Sequence, residues 1–261
     1  MPLFIEGLCI GIAGGVISGL FGVSPGGILV PVTIVILGCE QHVAQGVSLV
    51  CQIAPTGLAS IHRYRRSGAA PPARWLYLLV AGFFLGSIAG AVLSVHVTDQ
   101  PLQWTYVGYL LLLEVLLLTR RSNDVSHPSL AQTTEVQPNP LALLAIGIVA
   151  GFSSGFLGIG GGLAIVVGLS GVLKLSQHLA QQTSLILSLL PLTAPAAWVY
   201  WHEGSFISWL VVLGAIAGLW MGGDVGARLA VRIAEARLRQ MLAVVIVVFA
   251  AYMAAKALGV A

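Results

Sequence analysis

The sequence carries very little charge. Of its 261 residues, 8% are Asp, Glu, Lys or Arg, whereas 57% are hydrophobic, and the mean hydropathy is +0.96. A soluble globular domain has about 25% charged residues, so too few charges are present here to cover a surface that faces water. The composition therefore predicts a polytopic membrane protein.

Other absences narrow the functional classes. The few Lys and Arg residues form no extended basic face, which excludes nucleic acid as a partner. Three cysteines (Cys9, Cys39 and Cys51) lie in or beside apolar stretches, without the spacing of a disulfide framework or a zinc site. Neither a P-loop nor any cofactor motif is visible, so we expect no cofactor, and energy must come from a gradient. The N-terminal stretch lacks a basic n-region, and we interpret it as the first membrane segment.

Apolar segments recur along the chain at lengths that suit a bilayer, which about 20 residues of helix can cross. They run over residues 3–22, 43–62, 75–95, 103–119, 141–158, 179–200, 206–227 and 239–258. Two shorter apolar pieces, 27–38 and 162–173, each follow a glycine-rich break, and the sequence leaves open whether they span or re-enter. We therefore predict an all-α protein with a first transmembrane repeat (1–121), a cytoplasmic linker (122–140) and a second repeat (141–261).

The two halves are related by an internal duplication. QHVAQGVSLVCQIAP at 41–55 returns as QHLAQQTSLILSLLP at 177–191, identical at seven of fifteen positions and offset by 136 residues. The same offset relates glycines, serines and tyrosines elsewhere in the halves, such as Gly11 with Gly147, Ser18 with Ser154 and Gly86 with Gly222. Such an offset indicates that one fold occurs twice.

Basic residues predict that the halves are inverted. When the short pieces are counted, basic residues follow the third segment (43–62) in the first half and the fourth segment (206–227) in the second half. Because Lys and Arg favour cytoplasmic loops, this swap places the repeats upside down relative to each other. Inverted repeats are a recurring plan of secondary transporters, whose sites lie at the repeat interface.

A polar stripe marks the repeated phrase, since positions i, i+4, i+7 and i+11 share one helix face. The two stripes are Gln41, Gln45, Ser48 and Gln52, and Gln177, Gln181, Ser184 and Ser188. Unsatisfied amides are costly in hydrocarbon, so these side chains should face protein or a water-filled path. They are candidates for binding substrate, with Cys51 beside them, or for hydrogen bonds between helices.

The glycine breaks GLFGVSPGG (19–27) and GFLGIGGG (155–162) precede the two short segments. Helix N-termini attract anions through their free amides and partial positive charge. Gly26, Gly27, Gly161 and Gly162 are therefore candidate binding residues, with close helix packing as the alternative.

The glycine breaks, the A-Q-x-x-S-L phrase and the later G-x-x-x-G-x-x-x-G-A pattern, each present twice, resemble the sulfite exporter TauE/SafE family. The resemblance implies a multi-pass permease in the plasma membrane of a prokaryote that moves sulfur-containing anions or organosulfur compounds. It also implies a site role for Thr183, within the A-x-x-[TV]-S-L element. The chain departs from the family pattern at Ser24 and Pro25, within an otherwise glycine-rich run, and at Val47, where Thr is common.

We expect a secondary transporter, not an enzyme, with a small sulfur-containing anion and the lipid bilayer as its partners. The alternatives are a transporter of another small anion or a metal ion, and a non-transporting accessory protein in sulfur metabolism. A cation site would need several intramembrane carboxylates, whereas only Glu114 is central. GFSSG (151–155) fits a hydrolase nucleophile motif but lies in an apolar helix, not in a strand–turn–helix. Substrate identity, direction, coupling ion and any homo-oligomer stay open.

Overall fold

The computed structural model of the protein describes residues 2–21, 24–54, 71–119, 138–175, 177–205, 208–230, 232–233 and 235–259. These residues form eleven α-helices and no strand, which confirms the all-α prediction. The helices are α1 (Pro2–Phe21), α2 (Gly26–Leu37), α3 (Gln41–Cys51), α4 (Ala73–Val95), α5 (Asp99–Thr119), α6 (Pro140–Leu157), α7 (Gly162–Val167), α8 (Gln177–Leu187), α9 (Ala194–His202), α10 (Trp209–Ala230) and α11 (Glu235–Ala257).

Five of these helices are long and apolar enough to cross a membrane, which confirms a polytopic membrane protein. The candidate spans are Pro2–Leu20, Ala73–Val95, Pro140–Leu157, Trp209–Ala230 and Gln240–Ala257. Their outer faces expose large apolar side chains, among them Leu85, Val149, Leu213 and Val244. Exposed apolar surface on this scale marks an interaction surface, and lipid is the solvent that such helices require.

The two under-length segments are short helices that start at the glycine breaks. Helix α2 has 12 residues, and α7 has 6 residues that continue into a π-helical turn, Gly168–Val172. At 1.5 Å per residue, α2 is about 18 Å long, whereas the hydrocarbon core is about 30 Å thick. Neither helix alone crosses the bilayer.

The segment 179–200 was expected to be one crossing helix, and this is wrong. Helix α8 ends at Leu187, and a turn separates it from α9, which begins at Ala194. Pro191 lies in the turn and Pro195 in the first turn of α9, and proline both lacks an N–H and disfavours a helical residue before it. In the first half, α3 likewise ends at Cys51, and residues 55–70 lie outside the described part of the chain.

The order of helices repeats with the sequence offset. Helices α1 to α3 correspond to α6 to α8, and α3 and α8 have matching bounds after the shift of 136 residues. Two large interfaces join the halves, α1 with α10 and α4 with α6, and each pairs a first helix of one half with the fourth span of the other. Most of the predicted linker (122–140) lies outside the described residues, which resume at Pro138. Asn139 caps α6 by accepting the Leu141 N–H, and Pro140 is already the first residue of this helix.

Glycines make these two interfaces close and equivalent. Gly11 packs against the backbone of Ala215. Its duplicate, Gly147, packs against Leu79, and Leu79 is the position equivalent to Ala215. Along both interfaces the contacts advance in the same direction on the two helices, so each pair runs parallel. These pairs form the scaffold that holds the short helices and the polar stripes.

Candidate functional site

The stripe of α3 is buried inside the protein. Gln41, Gln45 and Ser48 have no exposed surface, and Gln52, in the turn after the helix, is half-buried. Its amide and hydroxyl groups make this face polar but uncharged. The periodicity argument thus identified a face that points into protein and not into lipid.

The α3 stripe reaches across to the glycine break of the second half. Ser48 Oγ donates to the carbonyl of Gly158 at 2.8 Å, and Gln52 Nε2 donates to the same oxygen at 3.3 Å. Gln45 Nε2 donates to the carbonyl of Phe156 at 3.2 Å. These carbonyls lie at the end of α6, where the helix leaves its last C=O groups without intrahelical partners. The stripe therefore satisfies a helix end that would otherwise be buried and unpaired.

The amide of Gln45 is held from both sides. While its Nε2 donates to Phe156, its Oε1 accepts from Tyr200 Oη at 2.9 Å and from Ser94 Oγ at 3.4 Å. The Tyr200 hydroxyl also lies 3.0 Å from the carbonyl oxygen of Gly155. One hydroxyl proton has two acceptors within reach, so Tyr200 can donate to only one of them at a time.

Gln41 differs from the rest of its stripe. Within the described residues, neither the Nε2 nor the Oε1 of its buried amide has a hydrogen-bond partner. A buried polar group left unpaired costs about 1–3 kcal/mol. Such a group is an expected point of contact for water or a polar substrate.

The second glycine break collects hydroxyl groups from both halves. Ser184 Oγ donates to the carbonyl of Gly162 at 3.0 Å, and Ser24 Oγ lies 3.3 Å from the carbonyl of Gly160. Gly158 and Gly160 have φ of +71° and +65°, a conformation that favours glycine. A Cβ on Gly162 would lie 3.2 Å from Ser184 Oγ and 3.7 Å from the Cβ of Ser24.

The first glycine break opens onto space. Gly27 is buried, yet a Cβ placed on it would meet no atom of the described residues within 4 Å. One residue earlier, a Cβ on Gly26 would lie 2.5 Å from Gln52 Nε2. The N-terminus of α2 is thus bounded by an amide donor on one side and by free volume on the other. Tyr106 Oη fixes this turn by donating to the Gly27 carbonyl at 2.9 Å.

The remaining predicted site residues lie away from this centre or within apolar contacts. Thr183 Oγ1 and Ser188 Oγ donate to carbonyls of their own segment, and Ser188 is exposed. Cys51 is fully buried in an apolar cluster with residues of α1, α2 and α10. Gly161 packs tightly against Phe83 and Ala150. Gln181 is half-buried, and the Gln177 side chain lies outside the described part of the structure.

Several polar residues at the centre were not predicted. Tyr200 and Ser94 complete the Gln45 network, and Ser24 bridges the two breaks. Tyr200 occurs again as Tyr64 in the first half, and this repetition could have predicted its role. A buried tyrosine needs a hydrogen-bond partner for its hydroxyl group. Ser94 had no such signal, since its partner comes from a different helix.

Comparison with known proteins agrees with this architecture. The family model described as "Sulfite exporter TauE/SafE" matches residues 7–253. The chain belongs to the sulfite exporter TauE/SafE family. This confirms the resemblance drawn from the repeated motifs, and a TauE/SafE protein with these apolar spans is a multi-pass plasma-membrane transporter.

Curated relatives carry the same general description. "Probable membrane transporter protein YdhB" of Bacillus subtilis (strain 168) is 28% identical over 221 residues, which cover 82% of this chain and 85% of that protein. "Probable membrane transporter protein YunE" of the same strain is 25% identical over 246 residues, covering 86% and 87%. No solved structure matches the chain.

Proposed function

We propose that this TauE/SafE protein is a secondary transporter of small sulfur-containing anions, such as sulfite or a sulfonate, that works by alternating access between two inverted repeats. The observation that carries the proposal is the set of hydrogen bonds from the α3 stripe to residues 156–158. They join parts of the chain more than 100 residues apart, so the polar centre is built by both halves. A site at the repeat interface is the place where relative motion of repeats exposes a substrate alternately.

Parallel packing of α1 against α10 supports the inverted arrangement. Helix α10 is the duplicate of α4. If α1 and α4 cross the membrane in opposite directions, which follows whether α2 and α3 cross in turn or re-enter together, α10 can run parallel to α1 only when the second half is upside down. The charge bias of the loops leads to the same orientation.

The N-terminus of α2 is the end that suits an anion. The first backbone amides of a helix have no intrahelical acceptor and carry partial positive charge. Open volume beside Gly27 and the amide of Gln52 next to Gly26 supply space and a neutral donor there. Neutral donors bind an oxyanion reversibly, because no fixed cation holds it in place.

The α3 stripe was interpreted either as a substrate-binding face or as a set of hydrogen bonds between helices. Both interpretations hold if the same side chains bond to protein without substrate and to the anion when it is bound. In the present arrangement Ser48, Gln52 and Gln45 donate to backbone carbonyls, so they act as hydrogen bonds between helices. A bound oxyanion would compete for these donors and release the carbonyls of the second break. The exchange would weaken the contact between the halves on one side, which is a direct route from binding to a change of access.

Substitution of Gly27 tests the site with little effect on the fold. Gly27→Ala places a methyl group in the open volume without meeting another atom, and Gly108→Ala does the same on α5, outside the proposed site. In liposomes that contain the purified protein, exchange of labelled sulfite, thiosulfate or methanesulfonate should fall at least tenfold in Gly27→Ala and stay unchanged in Gly108→Ala.

A second pair of variants tests the donors. Gln52→Ala should also reduce exchange about tenfold or more, because a hydrogen bond to a charged group is worth about 1.5–3 kcal/mol. Ser153→Ala is its control, since Ser153 is partly exposed and donates to Val149 of its own helix. Equal exchange in both members of each pair would remove the site from α2. Absence of flux for every sulfur anion, with folded protein, would favour an accessory role.

A further inference from the structure

A histidine and an aspartate form an ion pair where α3 and α5 begin. His42 Nδ1 lies 2.8 Å from Asp99 Oδ1, and His42 Nε2 lies 2.9 Å from the carbonyl oxygen of Ser94. Both residues are partly exposed and lie outside the five candidate spans. The proposed transport function does not use either of them.

The donors and acceptors around His42 favour an additional proton at this pair. A backbone carbonyl is only an acceptor, so Nε2 carries a hydrogen when it bonds Ser94. An ionised Asp99 is also only an acceptor, so its ion-pair distance of 2.8 Å from Nδ1 favours a second hydrogen on the ring. The pair is therefore satisfied when imidazolium faces carboxylate, or when the same proton lies on the carboxyl group. If His42 were neutral with its hydrogen on Nε2, the lone pair of Nδ1 would face a lone pair of the ionised Asp99 carboxylate, and the two would repel each other.

Neighbouring charges allow that proton to leave. Lys256 of α11 donates its Nζ to the carbonyl of Cys39 at 3.1 Å and lies close enough to attract Asp99. The contact with Asp99 raises the pKa of His42. The same contact is the largest influence that lowers the pKa of Asp99, and the charges of His42 and Lys256 add to it, whereas burial acts in the opposite direction.

Other titratable groups at this end of the molecule are Glu40 and Cys39, in the α2–α3 loop, and the exposed His96 after α4. His96 bonds the Val92 carbonyl of its own helix at 2.7 Å. When His42 becomes neutral, Asp99 keeps Lys256 as a counter-charge, so no isolated carboxylate is left.

The pair is connected to the polar centre through α4. Ser94, whose carbonyl holds His42, also donates its hydroxyl to the Oε1 of Gln45, one turn along α3. Asp99 in turn receives a hydrogen bond from the Gln41 backbone, at the start of the same helix. Protonation therefore ties the beginning of α3 to both α4 and α5. Loss of the proton removes the bond to Asp99 and loosens the helix that bears the stripe.

We propose that His42 and Asp99 form the binding site for a proton that is co- or counter-transported with the substrate anion. With the proton bound, α3 is fixed against α4 and α5; with the proton released, α3 can shift with its repeat. This inference rests on the proposed transport function and names its coupling ion. In sequence, the duplication places a histidine and a carboxylate, His178 and Glu235, at the equivalent positions, and the side chains of both lie outside the described part of the structure.

The test uses methanesulfonate, which stays fully ionised near neutral pH and so carries no proton itself. Liposomes containing the full-length protein and an internal pH dye receive labelled methanesulfonate, first without and then with an imposed pH gradient. The wild type should exchange label without the gradient, accumulate or expel label at least fivefold when the gradient is present, and change the internal pH during net flux.

Variants assign the proton to the pair. His42→Asn keeps a donor toward Asp99 but cannot titrate, so the ratio of gradient-driven flux to exchange should fall at least fivefold and the pH change should be lost. Asp99→Asn should show the same loss, whereas His96→Asn, the matched control at the same end, should behave as wild type. Asp99→Glu retains a carboxylate and should restore most of the coupling.

The outcomes separate the two proposals. No exchange by the wild type, with methanesulfonate, thiosulfate and sulfite all tried, would overturn the transport function itself. Exchange that neither responds to the gradient nor moves protons would overturn proton coupling alone. So would coupling that survives in His42→Asn. Should that variant fail to fold, the wild-type proton measurement and Asp99→Glu still decide the question.

Discussion

Adjacent glycines of α10 allow the helix packing to be tested with a single methyl group. A Cβ on Gly222 would lie 2.5 Å from the Ile12 carbonyl oxygen and 2.9 Å from the Val16 nitrogen, whereas a Cβ on Gly223 would meet nothing within 4 Å. Ordinary contact begins at 3.4 Å, so Gly222→Ala must move α1 and α10 apart by about 0.9 Å. A gap of that size forfeits a quarter to a half of the local dispersion energy.

Overpacking of this kind costs about 1–3 kcal/mol. The gain in helix propensity from Gly to Ala, about 1 kcal/mol, is common to Gly222→Ala and Gly223→Ala and cancels in their difference. The first half supports the choice of control, because Gly222 corresponds to Gly86, whereas Gly223 corresponds to Ser87, which already has a side chain.

Thermal unfolding in detergent, followed by tryptophan fluorescence, measures the difference. Gly222→Ala should unfold several degrees below Gly223→Ala, since about 1 kcal/mol shifts the midpoint by roughly 2–4 °C in chains of this size. Gly223→Ala should match or exceed the wild type. Equal midpoints for the two variants would refute backbone-close packing of α1 on α10, and with it the scaffold that positions the polar centre.

Three further effects follow from single contacts. The thermal midpoint should fall as the pH rises from 6 to 9, and it should stay level in His42→Asn. The pKa of His42 is raised, so this histidine contributes stability fully below its usual pKa of 6.5 and loses the contribution as the pH rises through the raised value. The pKa of Asp99 is lowered, so its carboxylate stays ionised throughout this range. Tyr200→Phe should lower stability by about 1–3 kcal/mol in the same unfolding assay, since buried acceptors lose their donor. Asp224→Asn should change the midpoint by less than its scatter, because its 2.6 Å pair with an arginine one turn later is exposed.

Much of the fold could be predicted because lipid imposes simple rules. Length and apolarity located the five long spans, and the duplication fixed the order of helices, including the short α2 and α7. Breaks within an apolar segment were harder to predict from the sequence. The break between α8 and α9 was missed because Leu and Ile on both sides of Pro191 keep the segment apolar, and hydropathy does not register a missing N–H.

The site was predictable only as a face, not as a set of contacts. Helical periodicity identified Gln45 and Ser48 as buried and polar, and the structure places both against the second glycine break. It could not reveal that their partners are backbone carbonyls, because every residue has one. For the same reason the pairing of His42 with Asp99 was hidden, since it depends on how two helix starts meet in space.

Duplication does not make the two glycine breaks chemically equal. The second break turns carbonyl oxygens toward Ser48, Gln52 and Ser184, and these donors satisfy it. The first break instead begins α2, with open space among the described residues beside Gly27. Ser24 replaces a flexible glycine there and joins the first break to the carbonyl of Gly160. One break is therefore satisfied by donors, whereas the other presents free amides. Under the proposed function, an anion that enters from the side of α2 meets these amides first and takes its remaining donors from the opposite break. We propose that binding is coupled in this way to separation of the halves, a coupling that two equivalent breaks would not provide.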